Sequence, residues 1–578
     1  MRLYYNQFFE KGQQVINFNL YKIGLSADDP VYTLINVLEE LDFSSLLARY
    51  SDKGRKGYNP IMLFAVLLYA NMRGIRAVDR IVELCERDIA FIWITKGEKP
   101  QRDAFYSFLN DKLSKEILED LHYQFIRILE KEGLVTLKTL FIDGTKIEAN
   151  ANRYTFVWRG TLNYHLAGLL DNIDELYSKY NNFIESNGYN KKYEFPLETM
   201  FVVDKIDKIK NTIGENRKRK SLNLKKLSNN SIIEIDNISP IELLKLQIKL
   251  FHIANAEKIP FVYGKGQRKS EIQKLYEAFE EASIRLFKYK DHFKVMGNDR
   301  NSYSKTDIEA TFMRMKDDHM QNGQLKPAYN VQIAVENYFV IHTYISNDRT
   351  DYNTLIPILK KHKDNLHEFP KEVTADSGYS SEPNLAYLRN NNISSYIKLQ
   401  EHEKMKKKSY KNDIGKFYNM KKVIINKCVY FICKNERMLE HQYSETRNID
   451  GYKRKYEVYS CNDCSGCEFK PKCLYKYNEE KDINKNKVMK INMLWESLKA
   501  ESHENIQSEK GITYRHIRSI QTEGYFGDIK ENENFRRFNH RTSDKVYKEF
   551  LLHAVGRNLN KYHRFANKKI KKYERKIA

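Results

Sequence analysis

Three acidic residues, remote from one another in the chain, have the type and setting to bind divalent cations: Asp143, Asp376 and Glu523. Asp143 closes the run Val-Thr-Leu-Lys-Thr-Leu-Phe-Ile-Asp-Gly-Thr over 135–145. That stretch is short, apolar and rich in β-branched and aromatic residues, and it predicts a mostly buried strand ending at the aspartate and Gly144. Asp376 stands in the same place in Glu372-Val373-Thr374-Ala375-Asp376-Ser377-Gly378-Tyr379. A carboxylate at the end of a buried strand is costly to desolvate unless a cation meets it. Taken singly, either aspartate is also an ordinary turn residue beside a glycine. The third acid, Glu523, lies in the stretch from Tyr514 to Lys530, where Tyr514, Arg518 and Lys530 surround it. Two Asp and a Glu from distant segments can hold two divalent cations about 3.5–4 Å apart, the arrangement used for in-line phosphoryl transfer.

Positioning such a set needs a sheet. Tyr329, Val331, Ile333 and Val335 alternate with Asn330, Gln332 and Ala334, then Glu336-Asn337 reads as a two-residue turn and Tyr338 to Ser346 as a second strand. A helix around Thr354 to Lys363 leads to the Asp376 strand. A short helix near Asn384 to Arg389 leads to a fifth strand, Ile393 to Lys398. Three strands, a helix, a strand, a helix and a strand is the order of an RNase-H-like α/β core, a mixed five-stranded sheet with flanking helices. Around it we expect an all-α N-terminal domain for DNA binding or dimerisation over 1–133, with the first core strand in 134–160. A helical insertion follows over 161–300 and more of the core over 301–399. A small Cys-containing insertion over 400–495, the C-terminal core helices over 496–560 and a basic tail over 561–578 complete the chain.

In the N-terminal part, Ile61 to Ala70 and Ala77 to Cys85 read as two helices joined at Arg73-Gly74, a pattern shared by helix-turn-helix motifs and plain helical hairpins. Arg73, Arg76, Arg80 and Arg87 suit a DNA-facing surface or a solvated one. Ser114 to Glu132 is an amphipathic helix with Gly133 as its stop. The run Arg217-Lys218-Arg219-Lys220 could touch phosphates or be a solvated loop. Cys461, Cys464, Cys467 and Cys473 have the spacing C-x2-C-x2-C-x5-C. Four thiols so close suit a metal, zinc ahead of iron–sulfur, with free or redox-active thiols as the other reading. Cys428 and Cys433 read as core residues. Near the C-terminus Arg536, Arg537 and Arg541 precede a helix over Lys545 to Leu559.

The chain has 578 residues and carries 98 basic against 76 acidic residues, a net charge of +22. That surplus points to a polyanionic partner, nucleic acid first, although the abundance of Lys, Asn, Ile and Tyr also reflects an AT-rich coding bias. No apolar run reaches the roughly 18 residues of a spanning helix, and Met-Arg-Leu-Tyr-Tyr lacks a signal-peptide core, so we expect a cytoplasmic protein with no membrane partner.

The ordered set Phe-Ile-Asp143-Gly-Thr-Lys, Ala-Asp376-Ser-Gly-Tyr and Glu523-Gly-Tyr-Phe-Gly-Asp-Ile-Lys resembles the DDE triad of bacterial insertion-sequence transposases. Ser304-Lys305-Thr306-Asp307, Met313-Arg314-Met315-Lys316, Tyr329-Asn330-Val331-Gln332 and the block from Tyr58 to Asp111 resemble the IS-four/IS-five-like branch. The family's signature helix is usually written Tyr-x2-Arg-x3-Glu-x6-Lys. Here Tyr514, Arg518 and Glu523 are each one residue further apart, and Glu523 to Lys530 keeps the spacing. The resemblance implies a transposase in which Asp143, Asp376 and Glu523 hold two Mg²⁺ ions, with Mn²⁺ able to substitute. It implies phosphate or DNA contacts from Lys530, Arg518, Tyr514, Arg536 and Arg537. Its implied partners are double-stranded DNA, as terminal inverted repeats and target, and a second copy of the chain in the synaptic complex, at the bacterial nucleoid. Glu531 and Glu533 compete with Glu523 for the third position. A relative that binds DNA without chemistry, and a nuclease on the same core, are the alternative functions.

Overall fold

The computed structural model describes residues 24–51, 57–198, 239–297, 300–315, 324–426, 428–449 and 451–566. The Arg217–Lys220 run, Lys316 and the tail beyond Ala566 lie outside them. The N-terminal part is helical: α1 (Pro30–Glu40), α2 (Pro60–Met72), α3 (Val78–Arg87) and α4 (Lys115–Lys131). Asn59 caps α2 by accepting from the Ile61 and Met62 amides, and Pro60 begins the helix where no amide is needed. Every residue of α2 is buried. A helix apolar on all sides is a central one, and the rest of the domain wraps around it.

The core sheet is mixed and has six strands rather than the five expected. Its central strand β1 (Thr139–Glu148) is followed by a ribbon, β2 (Phe156–Trp158) with β3 (Ser302–Ser304). Between the two ribbon strands α5 (Arg159–Ser186), α6 (Pro240–Ala256) and α7 (Glu271–Met296) form the helical insertion, which buries its own apolar cluster around Leu166, Tyr180, Leu250 and Phe279. The sheet resumes with β4 (Thr311–Arg314), β5 (Leu325–Glu336) and β6 (Phe339–Ser346). After α8 (Leu355–Leu366) comes β7 (Glu372–Ala375), and after α9 (Glu382–Asn390) comes β8 (Ser394–Ile397). Strand order is β4-β5-β1-β7-β8, with β6 beside β5 next to β4. β5 is antiparallel to β1, while β7 and β8 are parallel to it. The extra strand is β4, which pairs with the first residues of the long β5.

Two sequence boundaries are corrected. β1 runs past Asp143 to Glu148, because β5 continues to pair with it after β7 has ended. The hairpin turn is Asn337-Tyr338, both left-handed at φ 47° and 67°, not Glu336-Asn337. Two left-handed central residues make the turn whose twist matches the strands.

The second insertion is a five-stranded antiparallel sheet: β9 (Lys421–Ile425), β10 (Cys428–Ile432), β11 (Met438–Ile449), β12 (Tyr452–Cys461) and β13 (Val488–Ile491). The chain then returns to the core through α10 (Met493–Gln507), α11 (Glu509–Arg518), a π turn over Ser519–Glu523, α12 (Gly524–Glu531) and α13 (Ser543–Ala566). α13 locks the N-terminal domain to the sheet. At its Gly556 an added Cβ would meet the backbone of Asn71 and Met72 at 2.8 Å, so α2 and α13 approach at near backbone contact. Among the described residues no helix is long and apolar enough to cross a membrane.

A buried polar seam joins α4 to the sheet. The Tyr123 hydroxyl lies 2.8 Å from His342 Nδ1, and His342 Nε2 lies 2.8 Å from His362 Nδ1. His122 Nε2 is 3.0 Å from the Ile341 carbonyl. Burial holds His342 far below the usual histidine range and brings His122 and His362 down to about 4. The unfolded chain takes up these protons below pH about 6.5, whereas His122 and His362 in the folded chain resist until about 4. The contribution of these two is therefore whole above pH 6.5 and falls away between 6.5 and 4, by roughly 3 kcal/mol each. We expect urea unfolding curves to show the stability of His362→Gln declining less steeply over that interval than that of the wild type; parallel pH profiles would contradict the assignment.

Candidate metal-binding carboxylate site

Asp143 and Asp376 are brought together by strand register. Ile142 on β1 pairs with Ala375 on the parallel β7, so each aspartate is the next residue along neighbouring strands whose spacing is about 5 Å. Asp143 is buried, 8% exposed. Its Oδ1 accepts from the Gly144 amide at 2.8 Å, and the Thr522 hydroxyl lies 3.1 Å from its Oδ2. Burial raises its pKa, and the charge of Asp376 adds to the rise; Arg518 and the Gly144 amide oppose it. Asp376 begins a short 3-10 turn, Ser377–Tyr379, and its Oδ1 accepts from the Gly378 amide at 2.7 Å.

Glu523 arrives from the other side of the chain, and one guanidinium ties it to the first aspartate. Arg518 Nη1 is 3.0 Å from Asp143 Oδ2, and its Nη2 is 2.8 Å from Glu523 Oε1. The Ser519 hydroxyl holds the other Glu523 oxygen at 3.0 Å. The π turn accounts for the widened spacing of Arg518 and Glu523. A turn closed five residues apart absorbs one additional residue, so the two side chains still lie on one face of the helix. Of the three glutamates that compete for this place, only Glu523 shares a partner with Asp143. Glu531 pairs with Arg536 at 2.7 Å, and Glu533 binds His553 at 2.5 Å and Arg557.

Carboxylate oxygens are hard donors that suit Mg²⁺. Among the described residues no group of three or more His, Cys, Asp or Glu is arranged to hold a metal ion. Arg518 supplies the positive charge between Asp143 and Glu523.

The basic and aromatic residues are placed as follows. Lys530 is buried on α12. Tyr514 donates its hydroxyl to Glu372 Oε2 at 2.7 Å, at the far end of β7, about 13 Å along the strand from Asp376. Arg536 is held by Glu531, and Arg537 reaches the Asn150 side chain at 3.4 Å and the Ala151 carbonyl at 3.3 Å. Arg76 is not a surface residue: its guanidinium is buried against Glu549 at 2.6 Å. Arg73 pairs with Asp88, and Arg80 and Arg87 both pair with Glu83. Among the site's neighbours, sequence reasoning missed Asp351, in a turn-rich stretch that reads as a loop, and gave no role to Gln332. A polar alternation in a strand reads as a solvated face, yet both faces of β5 are buried along most of its length.

Cys461, Cys464, Cys467 and Cys473 line one small cavity, and Cys433 joins them, half-buried against the apolar core of the second insertion. All five thiols are free, and no metal-holding group occurs among the described residues. The Cys461 thiol is turned to the Asp463 carbonyl at 3.1 Å, and the Lys487 amide donates to the Cys464 sulfur at 3.3 Å. Cys428 is exposed on β10, not buried.

Residues 432–563 match the family described as a transposase DDE domain, and residues 20–111 match the family described as transposase domain DUF772. The first match contains Glu523 and Arg518, and the second covers α1 to α3. No curated protein and no solved structure matches the chain.

Proposed function

For a chain that belongs with the insertion-sequence DDE transposases, we propose cleavage of DNA at the ends of its element and joining of those ends to target DNA. In this reading the mixed sheet is an RNase-H-like core, supported by the order β6-β5-β1-β7-β8 with β5 antiparallel to the other central strands. Asp143, Asp376 and Glu523 hold two Mg²⁺ ions, with Mn²⁺ as substitute. Divalent ions held there would supply activation of water and of a 3′ hydroxyl, and charge neutralisation at the leaving oxygen. The chain's own part is to position. The Gly144 amide and Thr522 aim the Asp143 carboxylate, and the Gly378 amide fixes that of Asp376. Arg518, paired with Asp143 and Glu523, would be the nearest cation to a DNA phosphate brought to these acids. Lys530, Tyr514, Arg536 and Arg537 lend positive or polar surface to the DNA path, the surplus of +22 draws in double-stranded DNA, and two copies bring two ends together.

The observation that carries this reading is the adjacency of Asp143 and Asp376 through the register of β1 with β7, with Glu523 tied to Asp143 by the shared guanidinium of Arg518. A strand-transfer assay with Mg²⁺ or Mn²⁺, on a donor carrying the inverted repeats that flank the gene, tests it. Joined product is expected. Binding without cutting would instead mark a relative without chemistry, and cutting without joining a nuclease.

A further inference from the structure

Behind the two aspartates lies a polar group that the reaction itself does not use. Gln332, on β5, is fully buried, as are its neighbours Asn330 and Tyr379. Its side chain lies in the space that a Cβ at position 144 would need: an atom there would meet Gln332 Cδ at 2.7 Å and Oε1 at 2.8 Å. Residue 144 is therefore glycine to admit this amide, not to make a turn; it sits inside β1, paired with Gln332.

The orientation of the amide is fixed by its partners. Its Nε2 donates to Asp351 Oδ1 at 2.8 Å and to Asn330 Oδ1 at 2.9 Å. Asn330 Nδ2 donates to the same Asp351 oxygen at 2.8 Å. With both N–H groups spent, Oε1 is left as an acceptor, and the Tyr379 hydroxyl donates to it. Tyr379 ends the 3-10 turn that Asp376 begins. One buried side chain thus abuts the residue after Asp143 and holds the turn that carries Asp376. Asp351 also flanks that turn, because a Cβ at Gly378 would lie 3.3 Å from its Oδ2 and 2.9 Å from Asp376 Oδ1.

We propose that Gln332 is a positioning residue that sets the separation of the Asp143 and Asp376 carboxylates, with Gly144 and Tyr379 as its two abutments and Asp351 fixing its amide. The proposal rests on the reading of both aspartates as metal ligands. It gives roles to residues in three separate motifs, the glycine of Ile-Asp-Gly-Thr, the glutamine of Tyr-Asn-Val-Gln and the tyrosine of Asp-Ser-Gly-Tyr. A fully satisfied buried network is stiff, and stiffness is what a pair of ligands needs to receive an ion at fixed spacing.

Full-length wild type, Gln332→Met and Tyr379→Phe test this. Tyr379→Phe removes a single hydroxyl and keeps the ring, so it guards against a failure of Gln332→Met to fold. Two readouts are followed: the Mn²⁺ concentration that half-saturates the rise in melting temperature of the protein alone, and the one that half-saturates DNA end cleavage. In both variants each is expected to rise about 10–100-fold, the usual cost of losing an outer partner of a metal ligand, with DNA end binding unchanged. Half-saturation at the wild-type concentration in Tyr379→Phe would overturn the proposal. Gly144→Ala and Gln332→Ala add a second check. If glycine serves only to admit the amide, the double variant is no worse than Gln332→Ala, and fully additive losses would refute that. A wild type that neither responds to Mn²⁺ nor cuts DNA would sink the underlying metal assignment. A responsive, active wild type with unchanged variants would sink only the role of Gln332.

Discussion

Asp376→Asn is expected to lower DNA end cleavage by at least about 10²–10³-fold while leaving end binding intact, the size of loss seen when one electrostatic group at a reacting centre is removed. Asparagine keeps the size of the side chain and an oxygen that can accept from the Gly378 amide, now 2.7 Å from Oδ1. The turn should therefore persist, and the loss would report the missing charge. Asp143→Asn is a poorer probe of the same idea. Asp143 is ion-paired to Arg518 at 3.0 Å, so its neutralisation also frees a guanidinium beside the site and disturbs Glu523 through the shared partner. Cleavage by Asp376→Asn at the wild-type rate, with Mg²⁺ as the metal, would remove Asp376 from the ligand set.

The two aspartates were legible because their environment repeats within each segment: an apolar β-branched run, an acid, a small residue. Their adjacency was not, since it depends on the pairing of Ile142 with Ala375 across more than two hundred residues of intervening chain. The sheet order could be read from alternation and helix spacing, whereas the end of β1 could not, because β5 outlasts β7 as its partner. Glu523 could be found by its neighbours, but its geometry rests on a π turn that no apolar periodicity marks. The polar face of β5 could not be placed from its sequence for a different reason. Asn330 and Gln332 are hydrophilic and buried, and only the acid at 351 and the hydroxyl at 379, each distant in sequence, explain how they can be. The cysteines show the limit of spacing as a guide: a close set of thiols reached one cavity, but Cys433 came with them from another strand end.

Arg76→Ala is expected to destabilise the protein by about 3–5 kcal/mol, the cost of leaving a buried charge without its partner. Arg76 lies in the turn between α2 and α3, where a run of arginines suggests a DNA-facing surface. Its side chain is instead 11% exposed and that of Glu549, on α13, 6%. The pair is 2.6 Å apart, and the guanidinium lies 3.5 Å above the Phe535 ring. Glu549 also accepts from the Asn539 amide at 3.0 Å and the His540 amide at 3.1 Å, so it ties together α13, the segment before it and the N-terminal domain. Burial pushes the Glu549 carboxyl up and the Arg76 guanidinium down, each against the pull of the other. Both charges are thus held in place by their mutual attraction, and removal of one exposes the full desolvation cost of the other. Replacing both with apolar residues, as in Arg76→Met with Glu549→Met, should therefore be less damaging than Arg76→Ala alone. Urea unfolding of the single and double variants decides the matter. Weaker DNA binding by Arg76→Ala at unchanged stability would return the residue to the DNA surface and undo its assignment as the pin between the two halves of the chain.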